Sequence, residues 1–203
     1  MAIRFDGDGS IFGMSEGGLP DASVTIDDLA TTLDLSSKTL TLPSGIGSKI
    51  LQVKNAVKQG DQSFTASSWT TITDTQVSIT PTSATSTFLV MGSYVLGAGG
   101  AWRSMGRISR NESSFVGGYQ GDAAGSKDRT QMGGVPYTVY NGSQRPCKMY
   151  LIDSPATTST LTYEMQIYCN DGGTIYVNKS GQEADNGNHT RSCSFLTVFE
   201  ISG

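Results

Sequence analysis

The chain has 203 residues, of which Gly, Ser and Thr make up 74, 16% are charged and 36% are hydrophobic. That is too apolar and too weakly charged for a disordered chain, too poor in Ala, Glu, Lys and Leu for a helical bundle, and lacks the Gly-X-Y period of collagen. The net charge of −4, with no dominant basic stripe, argues against a nucleic-acid partner.

Residues 1–22 carry Gly7, Gly9, Gly13, Gly17 and Gly18 ahead of Pro20. So many glycines predict an irregular arm that is ordered against a partner. The N-terminus lacks the apolar core of a signal peptide, and no run approaches the ~18 apolar residues of a membrane span. The chain therefore reads as a soluble protein made in a cytoplasm, with no membrane insertion.

Over 23–33, Thr25 is placed to cap a helix, and Asp27 and Asp28 suit its positive end. Ile26, Leu29, Ala30 and Leu33 follow at i, i+3, i+4 and i+7, a single apolar stripe. Two turns are marginal alone, so the stripe needs something to pack on. Leu33/Leu35 and Leu40/Leu42 then alternate as in a strand, and a turn cluster at Pro43–Ser48 predicts a boundary. The expected domains are an anchor arm over 1–45 and a β-sandwich over 46–203.

From Lys49 onward short strands follow one another. They are expected at 50–57, 63–65, 69–72, 76–80, 87–96, 102–110, 136–140, 148–152, 161–169, 174–177 and 194–201. In the strongest, Phe88, Val90 and Tyr94 lie near one face and Leu89, Met91 and Val95 on the other. Turn signals such as Asn141-Gly142 and Asp171-Gly172-Gly173 separate the strands. The pattern predicts an all-β fold, an antiparallel jelly-roll-like sandwich, with about 155 residues sufficing for one core. Ser and Thr are expected to fill the outward strand positions.

Chemistry-bearing residues are sparse. His189 is the only histidine, and its neighbours Asp185, Ser192 and Cys193 sit in a loop that offers no rigid support for a triad. Asp6-Gly7-Asp8-Gly9-Ser10 begins like a calcium loop, but Ile11 stands where glycine is required and no acid closes it. No catalytic residues, metal site or cofactor are expected. Cys147, Cys169 and Cys193 match no zinc spacing and read as reduced, mostly buried thiols. Arg103, Arg107 and Arg110 form the only basic cluster, open to two readings: an anion or anionic-glycan site, or a solvated face. Trp69, Trp102, Tyr119, Tyr137 and Tyr140 suit saccharides and packing alike. Asn111, Asn141, Asn178 and Asn188 head glycosylation sequons of the kind a Ser/Thr-rich chain contains by chance.

Several segments carry a resemblance. Residues 17–30, Gly-Gly-Leu-Pro-Asp-Ala-Ser-Val-Thr-Ile-Asp-Asp-Leu-Ala, resemble the "GGLPDxSVTxxDLA" segment of tailed-phage fibre-like proteins, especially those of cyanophages. The linker from Leu33 to Gly45, Lys49-Ile50-Leu51-Gln52-Val53, Ser78 to Ser86, Leu151 to Thr158 and the terminal Thr197-Val198-Phe199-Glu200-Ile201 are similar to further segments of those proteins, in the same order. The resemblance implies a virion protein: a short homotrimeric fibre or spike, tail-mounted, made in the host cytoplasm and contacting the host cell surface. Residues 1–45 would hold other virion proteins, with Leu19, Ile26, Leu29, Ala30 and Leu33 as anchor or trimer contacts. The polar excursions 117–134 and 178–192 are either plain connections or host-contact loops. As contact loops they would meet a surface glycan or protein through Tyr119, Gln120, Lys127, Arg129, Asn186 and His189. Two alternatives stand beside this reading: a capsid decoration protein clamped by its arm, and a soluble complement-like trimeric jelly roll.

Overall fold

A computed structural model describes residues 4–5, 11–12, 49–99, 103–112, 116–133, 144–170, 173–182, 184, 187 and 189–203. The chain divides into two compact units, Met1–Gly47 and Ser48–Gly203. In the first, β1 (Arg4–Phe5) pairs antiparallel with β2 (Ile11–Phe12), Arg4 opposite Phe12 and Phe5 opposite Ile11. The arm expected to be irregular thus holds one short ladder, formed where β-favouring Phe and Ile flank the Gly7–Gly9 stretch. The helix expected over 23–33 lies outside the described residues.

The second unit is an all-β sandwich of two antiparallel sheets. Its strands are β3 (Ile50–Lys58), β4 (Gln62–Phe64), β5 (Trp69–Thr71), β6 (Val77–Ile79), β7 (Thr87–Gly99), β8 (Arg103–Arg110), β9 (Met132–Gly133), β10 (Gln144–Asp153), β11 (Leu161–Asn170), β12 (Thr174–Val177) and β13 (Ser194–Ile201). One sheet runs β3-β13-β7-β12-β4, with β10 on the other side of β7; the second runs β5-β11-β8-β9, with β6 also on β11. β7 is long enough for β13 and β12 to share one of its edges, β13 along Thr87–Ser93 and β12 along Leu96–Gly99.

Four pairs define the winding. β3 pairs with β13, β6 with β11, β7 with β10 and β8 with β9, nested first with last. Their members are dealt between the two sheets as the chain advances. Such nesting is a long antiparallel ribbon rolled on itself, the jelly roll expected from the strand pattern. The strand expected over 136–140 lies outside the described residues. β10 begins earlier than expected, at Gln144, and carries Pro146 within it. A proline lacks the donor for a second ladder, and it is tolerated here because β10 pairs among the described residues with β7 alone.

Strand alternation supplies the core. Phe88, Val90, Tyr94, Ile108, Tyr163, Met165, Ile167, Ile175, Leu196 and Val198 are buried, each contributing about 1.5–3 kcal/mol. Two glycines make room. A Cβ on Gly92 would stand 2.6 Å from Met165 Sδ, and one on Gly106 would stand 1.9 Å from the Tyr94 hydroxyl. Both positions therefore require the absence of a side chain so that the sheets can close. At one end of the core, Asp153 Oδ2 accepts from Tyr163 Oη at 2.6 Å and pairs with Arg110 at 2.5 Å. Breaking such a pair leaves an uncompensated buried charge.

Candidate assembly surface and loop groove

The outer face of the β3-β13-β7-β10 sheet is built by register. Val53 stands opposite Phe199, Phe199 opposite Leu89, and Leu89 opposite Ile152. The adjoining row runs Asn55, Thr197, Met91, Tyr150, and the next Val57, Phe195, Ser93, Lys148. The intervening positions Val90, Val198, Leu196, Met149 and Leu151 face the core, so period 2 turns these twelve outward. Exposure reaches 77% at Tyr150, and Val53, Val57, Met91, Ile152 and Phe195 are all exposed.

Among those twelve positions Lys148 is the single charged residue. Four strands about 4.8 Å apart and three rows about 6.7 Å apart cover roughly 400 Å². A contiguous apolar patch of a few hundred Å² marks an interaction site. The expectation that Ser and Thr fill outward positions is corrected here: on this face Val, Leu, Met, Ile and Phe do. The signal was the apolar content of both parities in β7 and β13.

Beside β10, a groove of about 680 Å³ is lined by Gly118, Tyr119, Gln120 and Gly121, by Thr130 and Gln131, and by Lys148 to Leu151. Consecutive residues 148–151 belong to alternate faces of a strand, so the groove runs along the edge of β10 that pairs with no other strand among the described residues. Its opposite wall is the segment after the 3-10 turn Val116–Gly118. Gln131 Oε1 accepts from the Ile108 amide, while Gln131 Nε2 is buried with no hydrogen-bond partner. A buried orphan donor beside a cavity calls for an occupant that accepts from it.

Of the expected host-contact residues, Tyr119 and Gln120 share this groove. Lys127 and Arg129 are exposed on the same loop but do not line it, and Arg129 Nε donates back to the Gly121 carbonyl at 2.6 Å. His189 is half-buried, with Nδ1 3.3 Å from the Ser180 hydroxyl. Asn186 lies outside the described residues, as do Leu19, Ile26, Leu29, Ala30 and Leu33.

The second polar loop is strapped down. Asp61, in the β3–β4 turn, pairs with Lys179 and with Arg191 at 2.7 Å each. These two bonds, Lys179 first, hold its carboxyl at a pKa of about 2. Gln144 adds bonds to the Thr190 carbonyl and from the Ser192 hydroxyl.

Of the basic cluster, Arg103 lies in a solvated surface pair, while Arg107 and Arg110 are taken up in structural contacts. Arg103 pairs with Asp128 at 2.7 Å and Arg110 with Asp153. Arg107 is 8% exposed, donates from Nε to Gln166 Oε1 at 2.7 Å and stacks 4.3 Å over the Trp69 ring. Trp69 in turn meets Tyr168 at 5.7 Å. Strand register disperses the three arginines: Arg103 and Arg107 share one side of β8, and Arg110 takes the other, beside Asp153.

Glu164 is 1% exposed and accepts from Ser109 (2.8 Å), Gln166 (2.7 Å), Thr71 (2.9 Å) and Gln76 (3.2 Å). Both oxygens are taken up by cross-strand donors, so this carboxylate stitches strands together. Among the described residues no three His, Cys, Asp or Glu side chains gather as metal ligands. Cys147 and Cys193 are free thiols, and Cys147 and Cys169 are buried. No protein-family model matches the chain, and no curated protein is similar to it in sequence.

Proposed function

We propose that this chain is a structural protein of a bacteriophage particle, a short homotrimeric fibre or spike that displays a jelly-roll knob and meets the host cell surface. The observation that carries this reading is the outer face of the β3-β13-β7-β10 sheet, where Val53, Val57, Leu89, Met91, Ile152, Phe195 and Phe199 are presented without a carboxylate among them. A face of that composition has its natural use in self-assembly. The order of virion-like segments from residue 17 to residue 201 supports the setting. Residues 1–45 are the part assigned to other virion proteins, and Lys127 and Arg129, exposed on their loop and outside the groove, are assigned to the host side.

Two measurements test it. Light scattering on the purified full chain gives three copies per particle if the reading holds, and a stable monomer refutes the trimer. Electron microscopy of virions carrying a tagged copy places label at the tail. Label on the capsid shell moves the protein to decoration, and absence from the virion ends the proposal.

A further inference from the structure

We propose that the copies join by a heterologous contact, in which the Tyr119–Tyr150 groove of one copy receives the Val53/Val57/Phe195/Phe199 end of the apolar sheet face of the next. The arrangement rests on the homotrimer proposed above and specifies which surfaces meet.

The two surfaces lie at opposite borders of one sheet. The groove follows the edge of β10 away from β7, and the apolar end is on β3 and β13. Three strand spacings, about 14 Å, separate those borders. A two-fold contact pairs groove with face twice within a single dimer, whereas the three copies proposed above need each copy to offer its groove to one neighbour and its face to the other. A head-to-tail contact uses both on every copy, and a closed ring leaves neither exposed.

The chemistry of the groove fits a protein surface. Tyr119 and Tyr150 present rings that bury well while their hydroxyls stay paired or wet. Gln131 Nε2 is the buried donor without a partner. The incoming face is uncharged and brings acceptors in Asn55 and Thr197, whose side chains already bond each other at 2.9 Å and so are held in place. Pro146 and Lys148 on the β10 edge disfavour a simple strand-to-strand extension, so the contact is edge into face and not a continued sheet.

The test uses the full chain with two single variants. Tyr150→Arg spoils the groove and leaves the β3–β13 end of the face; Phe195→Arg spoils that end and leaves the groove. Both residues are exposed, and a melting curve verifies that each variant folds. Each alone is expected to fall from trimer to monomer. Mixed at high concentration, the two restore one intact contact, the groove of the Phe195→Arg copy with the face of the Tyr150→Arg copy. Native mass spectrometry then shows a 1:1 heterodimer and nothing larger. A folded single variant that stays trimeric, or a mixture that stays monomeric, overturns the head-to-tail arrangement while leaving the trimer standing. A wild-type chain that is itself monomeric overturns the trimer.

Discussion

Asn178 accepts the Ser194 hydroxyl on Oδ1 at 2.6 Å, while its own amide reaches the carbonyls of Lys58 at 3.1 Å and Gly60 at 3.0 Å. One buried side chain thereby joins the end of β12, the β3–β4 turn and the start of β13. Its backbone sits at φ 65°, a conformation Asn tolerates better than most residues. Its sequon is thus a chance match: a side chain that is 1% exposed and fully bonded is closed to glycosylation.

Asn178→Ala is expected to cost about 3 kcal/mol, from two orphaned carbonyls, an orphaned hydroxyl and left-handed strain. For a unit of this size that lowers Tm by roughly 10 °C. Differential scanning calorimetry checks it, and a shift below a couple of degrees contradicts the role given to this residue.

Glu200 sets an acid limit. Burial opposes its ionisation, but donors from the Thr82 amide and hydroxyl (2.7 Å each) and from Gln52 (2.5 Å) outweigh burial and hold its pKa at about 2. The folded value lies below that of an unfolded glutamate, near 4.3. Its contribution is therefore complete above that pH and is lost as pH falls toward about 2. Glu200→Gln is expected to lower stability at neutral pH and to flatten the decline below pH ~4.5, read from urea midpoints across the range. The depressed Asp61 carboxyl, more exposed, leaves a weaker residual slope that Asp61→Asn removes.

Gly106 and Tyr94 form a coupled pair in the core. Gly106→Ala pushes a methyl group into the Tyr94 hydroxyl and is expected to cost about 2 kcal/mol. With Tyr94→Phe in the same chain most of that clash disappears. A double-mutant cycle by urea unfolding should give a favourable coupling of about 1 kcal/mol or more. Simple additivity of the two changes contradicts the packing described.

The thiols should separate cleanly by reactivity. Burial pushes the Cys147 thiol up to about 11, and Cys169 is buried and donates to the Gly173 carbonyl at 3.3 Å. Cys193 is exposed. Ellman's reagent at pH 8 is expected to modify one thiol per native chain rapidly and three after denaturation. Rapid reaction of two or three in the native state contradicts the buried placements.

The amino-acid sequence by itself determined the class of fold. Alternating apolar residues in 87–96, 161–169 and 194–201, cut by Gly, Asn and Asp turns, carry the period of a half-buried strand, which is a local property of the chain. The same alternation put Phe88, Val90 and Tyr94 on the core side. Tertiary structure decided what lies beyond local period. Leu89 and Met91 have the same hydropathy as core residues, and only the register with Phe199, Thr197, Ile152 and Tyr150 shows them forming one outward face. Arg103, Arg107 and Arg110 look like one basic cluster in the sequence. The pleat and the cross-strand partners Gln166 and Asp153, 59 and 43 residues away, split them into separate structural contacts. The Tyr119–Tyr150 groove likewise joins residues from a loop and a strand edge that no short motif connects. Register and sheet pairing are long-range choices, set by which faces bury one another, and it is through them that an uncommitted Gly-, Ser- and Thr-rich sequence acquires a surface fitted for assembly.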